Sequence, residues 1–493
     1  MKKLLFLILC STAVAGLSQN IHFIKSYGNN GYDFGRDIKQ DIDTGYIATG
    51  SSSSFYSGNA DAFLLKVDSL GNFKWSYNYG GSGSEWGEAV SPLTEGGYAI
   101  AGYTNSFGAG GFDFYFVKTN EFGVPLIEKT YGGSDWDKAY DMVQLPDSGF
   151  VMVGETYSFG NGNNDMYMVR INQNGDTLWT RTYGGTESDY ANALILDGDS
   201  IVVVGGTESF GNGMTDGIIL KFHIDGTLGW MKTAGMEKDD YFTSITKNLG
   251  NEYFLAGSRH YYFSQTGYLG DFWIYNIVND GTLLADTSLT GGSHEFEVAN
   301  GIAIDDNDNI FFAGSTKSFG YSLIDGKNDG FVGRLLNNYY QTSYINNFGV
   351  SGNEVVNQLR NTNAKGYIAI GDIETQSTGG NNLFILKIDK DNSIGNILLN
   401  SELEAGNNIT LSTEPITSIK PFKVFPSLAT DRLFIEGEFD TDFYAHIIDM
   451  NGKKLQSFYN QKQIDLQEIN SGYYILRIIT ESGVYSAKFL KQN

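Results

Sequence analysis

The chain has 493 residues, with 33 Lys plus Arg against 57 Asp plus Glu, a formal net charge of −24. That balance makes it a poor electrostatic partner for nucleic acid or an anionic membrane, and its single cysteine excludes a disulfide scaffold and any paired-cysteine zinc or redox site. Apolar residues reach 41%, enough for a packed core, while 62 glycines, 31 tyrosines and 33 phenylalanines point to many short strands joined by tight turns.

The first residues read as an export signal. Lys2 and Lys3 precede the apolar run Leu4–Leu9, and small residues follow through Ala15. This is the pattern of a secretory signal peptide, residues 1–19, too short for a membrane span. Ala13-Val14-Ala15 offers one cleavage site, and a site nearer Gln19 is the alternative. Cys10 follows Leu9, where a lipidation motif wants a small residue, so the cleaved signal is preferred. Its removal takes away Lys2, Lys3 and Cys10. No later segment is long and apolar enough for a transmembrane helix.

Residues 20–400 repeat. Copies start near residues 27, 79, 131, 183, 234, 290 and 348, and the first four open with Tyr-Gly. An apolar stretch ending in glycine follows in each: Gly50, Gly102, Gly154, Gly205, Gly257, Gly314 and Gly371, spaced 52, 52, 51, 52, 57 and 57 apart. Next comes a loop, in the early copies with Ser-Phe, then an acid and a run ending in a cation, such as DAFLLK and DFYFVK. In the second copy four strands are expected near Ala89–Leu93, Tyr98–Ala101, Phe114–Lys118 and Leu126–Thr130. One four-stranded sheet cannot bury both faces, whereas seven arranged radially can, so the pattern predicts an all-β, seven-bladed β-propeller. The segment Ile21–Ser26 is similar to the strands before later Tyr-Gly turns and is expected to complete the last blade, with residues 396–400 as the competitor.

The repeat resembles the secreted bacterial β-propeller repeat family across about residues 21–400. The steps Gly71 to Trp75 and Gly175 to Trp179 are similar to the blade-docking tryptophan of quinoprotein-type propellers, which implies packing between adjacent blades. Residues 401–420 are polar, lack periodicity and read as a linker. Residues 421–493 give short strands with turns at Met450-Asn451-Gly452 and Asn470-Ser471-Gly472, the rhythm of a small Ig-like β-sandwich. VFPSLATDRLFIEG, IIDMNGKKLQ, IDLQEINSGYYILRI and KFLKQN, in that order at the C-terminus, resemble the type A C-terminal sorting domain of the type IX secretion system. Pro426-Ser427-Leu428 stands where that family usually carries Pro-Asn-Pro. The resemblance implies export across an outer membrane with the type IX machinery as partner, then release or surface anchoring.

No GxSxG, HExxH or helix-opening GxGxxG occurs, and none of the five histidines has a partner at close metal-ligand spacing. An acid recurs six places after most starts: Asp33, Glu85, Asp137, Asp189, Asp240 and Glu354. Around a channel mouth these carboxylates could hold Ca²⁺, but an acid copied into nearly every blade fits better as an acceptor for turn N–H groups. No other cofactor is indicated. A second set, Asp61, Asp113, Asp165, Asp216, Asp271 and Asp329 with Asn382, precedes each third strand and reads as turn chemistry. The longer loops of copies five and six bring Arg259, His260, Tyr261, Tyr262 and Tyr268 together with His294, Lys317 and Tyr321. Stacking rings beside hydrogen-bonding groups suit a glycan or peptide, and loops on a rigid scaffold are where binding usually lives. The expected function is a secreted or cell-surface, non-enzymatic propeller that binds an extracellular glycan or protein. The alternatives are an extracellular glycan-active hydrolase or lyase using paired carboxylates, and a structural surface-layer protein.

Overall fold

The computed structural model describes residues 23–28, 31–54, 59–263, 267–282, 289–291, 296–305, 307–317, 326–335, 342–348, 352–363, 366–375, 380–389, 423–425, 428–436, 443–449, 454–480 and 483–492. The signal segment, the linker and residues 396–400 lie outside them. Strands are the only extended secondary structure among the described residues.

Seven four-stranded antiparallel sheets make the propeller. In blade 1 the strands run from the innermost outward as Asp33–Gln40, Tyr46–Ser52, Asp61–Val67 and Phe73–Tyr79. Five further blades repeat this order along the chain. The seventh has only three strands from its own copy, Glu354–Asn361, Gly366–Thr375 and Gly380–Asp389. Its outermost place is taken by Phe23–Tyr27, with Phe23 opposite Lys387 and Tyr27 opposite Leu383. The N-terminal segment therefore closes the ring, as its sequence suggested.

Burial follows position in the blade. Second strands such as Tyr46–Ser52 are buried throughout because neighbouring blades cover both faces. Outer strands such as Thr177–Tyr183 are largely exposed. Innermost strands share an unusual feature: each carries a bulge, with Arg36, Glu88, Tyr140, Asn192, Thr243, Asn300 and Asn357 as the extra residues. Opposite the bulge sits the repeat's glycine. A Cβ on Gly50, Gly102 or Gly154 would overlap the carbonyl oxygen of Phe34, Trp86 or Lys138. The bulge also moves a boundary. The second copy's innermost strand is Glu85–Pro92, not Ala89–Leu93, because the extra residue breaks the period-2 alternation at its first half.

The Tyr-Gly tyrosine joins one blade to the next. Tyr27, Tyr79 and Tyr131 donate their hydroxyls to the carbonyls of Gly71, Gly123 and Gly175, each at 2.6 Å. Those glycines have φ of 75°, 78° and 76°, a region that favours glycine in the turn between third and fourth strands. Trp75 packs between blades, 5.8 Å from Tyr98 of blade 2 by ring centroids. Trp179 and Trp230 lie against Gly226 and Gly281 in the same way. In copy five the expected long loop is instead an extended hairpin: strands Glu252–Phe263 and Gly267–Val278 pair as far as Phe263 with Gly267. The β-forming run His260-Tyr261-Tyr262-Phe263 continues the strand rather than ending it.

The C-terminal unit has a three-stranded and a five-stranded sheet around a core that includes Leu433, Ile447, Ile464, Leu476 and Phe489. It is the small sandwich expected.

Deleting residues 20–26 removes the buried Phe23 and Ile24 and cuts Tyr27 off from the strand that holds it in blade 7. At roughly 1.5–3 kcal/mol per buried large side chain, a fall in melting temperature on the order of 10 °C is expected by calorimetry. An unchanged melt would show that closure does not depend on this strand.

Candidate functional site

Every innermost strand begins at one face of the ring, and its second and fourth residues line the upper channel. In blades 1 to 3 these are Phe34 and Arg36, Trp86 and Glu88, and Lys138 and Tyr140, none fully buried. Around them the rings form a continuous arc. Tyr32 stacks on Phe34 at 6.3 Å between centroids, Phe34 on Trp86 at 5.4 Å, and Trp86 on Tyr103 at 6.1 Å. Phe112 then meets Tyr103 edge-on at 5.2 Å, Trp136 meets Phe112 at 5.7 Å, and Tyr157 meets Trp136 at 6.4 Å. Tyr32, Trp136 and Tyr157 are 55%, 47% and 45% exposed, so the arc presents ring surface to solvent.

The cations in the arc are neutralised. Arg36 lies 5.0 Å above the Trp86 ring and between Glu88 at 3.7 Å and Asp372 at 4.0 Å. Lys138 lies 4.7 Å from the Trp136 ring and 3.6 Å from Glu155. Tyr140 donates to Glu155 at 2.6 Å, and Asn357 and the Gly35 N–H donate to Asp372, each at 2.8 Å. Burial pushes the Asp372 carboxyl up to about 6, against the pull of Arg36. Burial raises Glu88 too, with Arg36 and Tyr103 acting the other way. Deeper in the channel, Arg360 reaches Asp37 at 3.0 Å, and Lys39 lies 4.0 Å from the same carboxylate. Asp141 faces Arg360 and Lys39 from blade 3, so balanced charge spans the channel below the arc. Rings beside paired carboxylates, amides and hydroxyls suit a neutral, hydroxyl-rich ligand better than an anion.

The residues predicted from copies five and six are partly brought together. Arg259 lies 5.6 Å over the Trp273 ring. His260 sits between Tyr241 at 6.0 Å and Phe296 at 5.7 Å, and Tyr261 donates to Asp271 at 3.3 Å. Tyr262 and Tyr268 are opposite each other across the hairpin. The Lys317 N–H bonds the Phe296 carbonyl at 3.1 Å. His294 and Tyr321 lie outside the described residues.

The recurring acids Asp33, Glu85, Asp137, Asp189, Asp240 and Glu354 are fully buried, each in its own blade. Glu85, Asp137 and Asp189 accept backbone N–H bonds from Gly81, Gly133 and Gly185 at 3.0, 2.7 and 2.8 Å. Hydroxyls complete the cradle: Thr104 donates to Glu85 at 2.6 Å, and Ser158 and Ser209 donate to Asp137 and Asp189 at 2.8 and 2.6 Å. These bonds are the turn chemistry that the repetition pointed to. Among the described residues no three His, Cys, Asp or Glu side chains converge as a metal-holding group.

Residues 423–492 match the family model for the secretion system C-terminal sorting domain. The chain is a β-propeller protein with a type IX sorting domain. No protein of curated function matches the chain. Among solved structures, the Pan2 WD40 domain of Neurospora crassa is 11% identical, covering 73% of this chain and 90% of that one at a TM-score of 0.41. The β-propeller domain of the Trilobed protease from Pyrococcus furiosus is 10% identical, covering 77% and 98% at 0.41. An α-L-arabinanase of Penicillium chrysogenum complexed with arabinobiose is 10% identical, covering 61% and 92% at 0.40. The propeller itself is established by the sheet order of this chain.

The sorting domain marks the protein for secretion, and no helix among the described residues is long and apolar enough to cross a membrane. The arc itself has a sequence signal that insertion lengths do not carry. The residues flanking the repeated acid vary between copies: Tyr32 and Phe34, Ser84 and Trp86, Trp136 and Lys138, Ser188 and Tyr190.

The exported propeller also carries paired acids at its blade junctions. A Cβ on Gly132, Gly184 or Gly235 would meet both members of Asp113 and Asp137, Asp165 and Asp189, or Asp216 and Asp240. Asp61 pairs in the same way with Glu85, and burial with that neighbour pushes Asp61 up to about 6. A carboxyl raised above its unfolded value stabilises the fold below that value, and the contribution is lost as pH rises through about 6. The seventh junction already places Asn382 beside Asp33 at Gly28. Asp61→Asn should therefore raise the melting temperature at pH 8 by a few degrees and change it little at pH 4. Equal shifts at both pH values would exclude a titrating pair.

Proposed function

We propose that this protein is a non-enzymatic, exported propeller that binds an extracellular glycan through the aromatic arc at its channel mouth. The arc carries the reading: seven rings in unbroken contact across blades 1 to 3, three of them more than two-fifths exposed. Flat apolar ring faces match the C–H faces of sugars, and Glu155, Asp372, Tyr140 and Asn357 supply hydrogen bonds around them. Arg36 and Lys138 are already paired with acids, which favours a neutral glycan over an anionic one. The sorting domain would deliver this surface outside the cell, either released or anchored at the outer surface. The hairpin around Arg259, His260 and Tyr261 is a second contact area on the same face, and a protein ligand would use both.

One observation favours a glycan-active hydrolase: Glu88 and Asp372 are both raised acids at the mouth. Against it, Arg36 lies between them and holds both carboxylates in ion pairs. A glycan and protein array with the mature chain, followed by titration calorimetry on the best hit, separates these readings. Trp136→Ala with Tyr157→Ala should weaken binding about tenfold, from two lost stacks of roughly 0.5–1.5 kcal/mol each. Glu88→Gln should leave binding within a few-fold, and no reducing ends should appear with the unaltered chain. Release of reducing ends that Glu88→Gln abolishes would establish the hydrolase instead.

A further inference from the structure

Alternation in the five-stranded sheet of the sorting domain sends Phe443, Ala445 and Ile447 into its core, so Tyr444, His446 and Ile448 face away from it. On the neighbouring strand Leu476 and Ile478 face the core and Arg477 faces away. An outer face should be wet, yet Arg477, Ile448 and His446 are only 2%, 3% and 9% exposed. The propeller supplies the cover. The Arg477 guanidinium sits 3.6 Å from the centroid of the Phe122 ring, and His446 meets the same ring edge-on at 6.2 Å. Tyr77 and Glu121 are the polar partners of Arg477 at this contact.

Phe122 is itself out of pattern. It precedes the glycine of the turn between third and fourth strands, where copies three, four and five carry Asn174, Asp225 and Asp280. Only copies one and two place an apolar residue there among the first five, Leu70 and Phe122, in adjacent blades. These turns lie at the opposite ends of the strands from the channel mouth.

We propose that the sorting domain docks on the lower face of the propeller, with Arg477 and His446 clasping Phe122, so that the precursor travels as one body with its channel mouth open. Undocking then precedes any use of that outer sheet face by another partner, and removal of the domain exposes Phe122.

Small-angle scattering of the full chain without its signal, with digestion by a Glu-specific protease as second readout, tests this. Phe122→Asp installs the residue that copy four tolerates in the same turn. It should enlarge the radius of gyration and speed cleavage between residues 401 and 420 several-fold, with the propeller melt unchanged. Arg477→Ala approaches the contact from the other side and should do the same. Scattering and cleavage rates identical in the unaltered chain and both variants would overturn the docking, as would an unaltered chain that already scatters as two separated bodies.

Discussion

In each innermost strand one carbonyl, such as that of Phe34, presses on the glycine opposite so closely that no side chain fits there. The pressure comes from the bulge at the next residues of the strand. A bulge puts two residues against one and shifts the alternation beyond it: the second and fourth residues of the strand are half-buried, whereas the fifth and sixth are both buried. Arg36 and Glu88, both bulge residues, reach each other across a blade junction, as Phe34 and Trp86 do two residues earlier. The repeated glycine and the bulge opposite it are thus one backbone feature, carried by all seven blades.

The ring was legible in the sequence because its junctions reuse the same residues. Tyr-Gly recurs since the tyrosine hydroxyl must reach the next blade's turn and the glycine must leave room for two carboxylates. The missing fourth strand of the last copy could be found from Phe23–Tyr27, since an incomplete blade leaves an open edge that another strand must fill. The position of the aromatic arc was not legible in the same way. Tyr32, Trp86 and Trp136 lie in three copies with 52-residue spacing and no insertion. Their convergence depends on a radial arrangement that places residues about 50 or 100 apart in sequence side by side. Attention to loop length pointed instead to Tyr261 and its neighbours, which the structure builds into a hairpin.

The net charge of −24 changes meaning once the acids are placed. Asp33, Glu85, Asp137, Asp189, Asp240, Glu297 and Glu354 are all buried at the heads of innermost strands. A buried carboxylate is stable only when donors surround it, and at Glu85 and Asp137 a backbone N–H and a hydroxyl tie the turn to the strand end. These seven acids therefore serve the joints of the ring rather than its surface. The mouth itself is near balance, Arg36 and Lys138 against Glu88, Glu155 and Asp372.

That division explains how one scaffold can carry a specific surface without losing its fold. The acid at the head of the innermost strand is held by the blade's own turn, so the residues on either side of it can differ. Where they are Tyr32 and Phe34, or Trp136 and Lys138, the mouth gains ring faces. Where they are Asn353 and Val355, it gains none. At the far end of the blade the turn glycine is held by the neighbouring tyrosine, and the residue before it can vary in the same sense: Asn174 in blade 3, Asp225 in blade 4, and in blade 2 Phe122, which meets Arg477. Each blade thus offers variable positions beside fixed ones at both ends, at the channel mouth and at the lower rim. Selection can change a ligand at one end and a docking contact at the other without touching the bonds that close the ring.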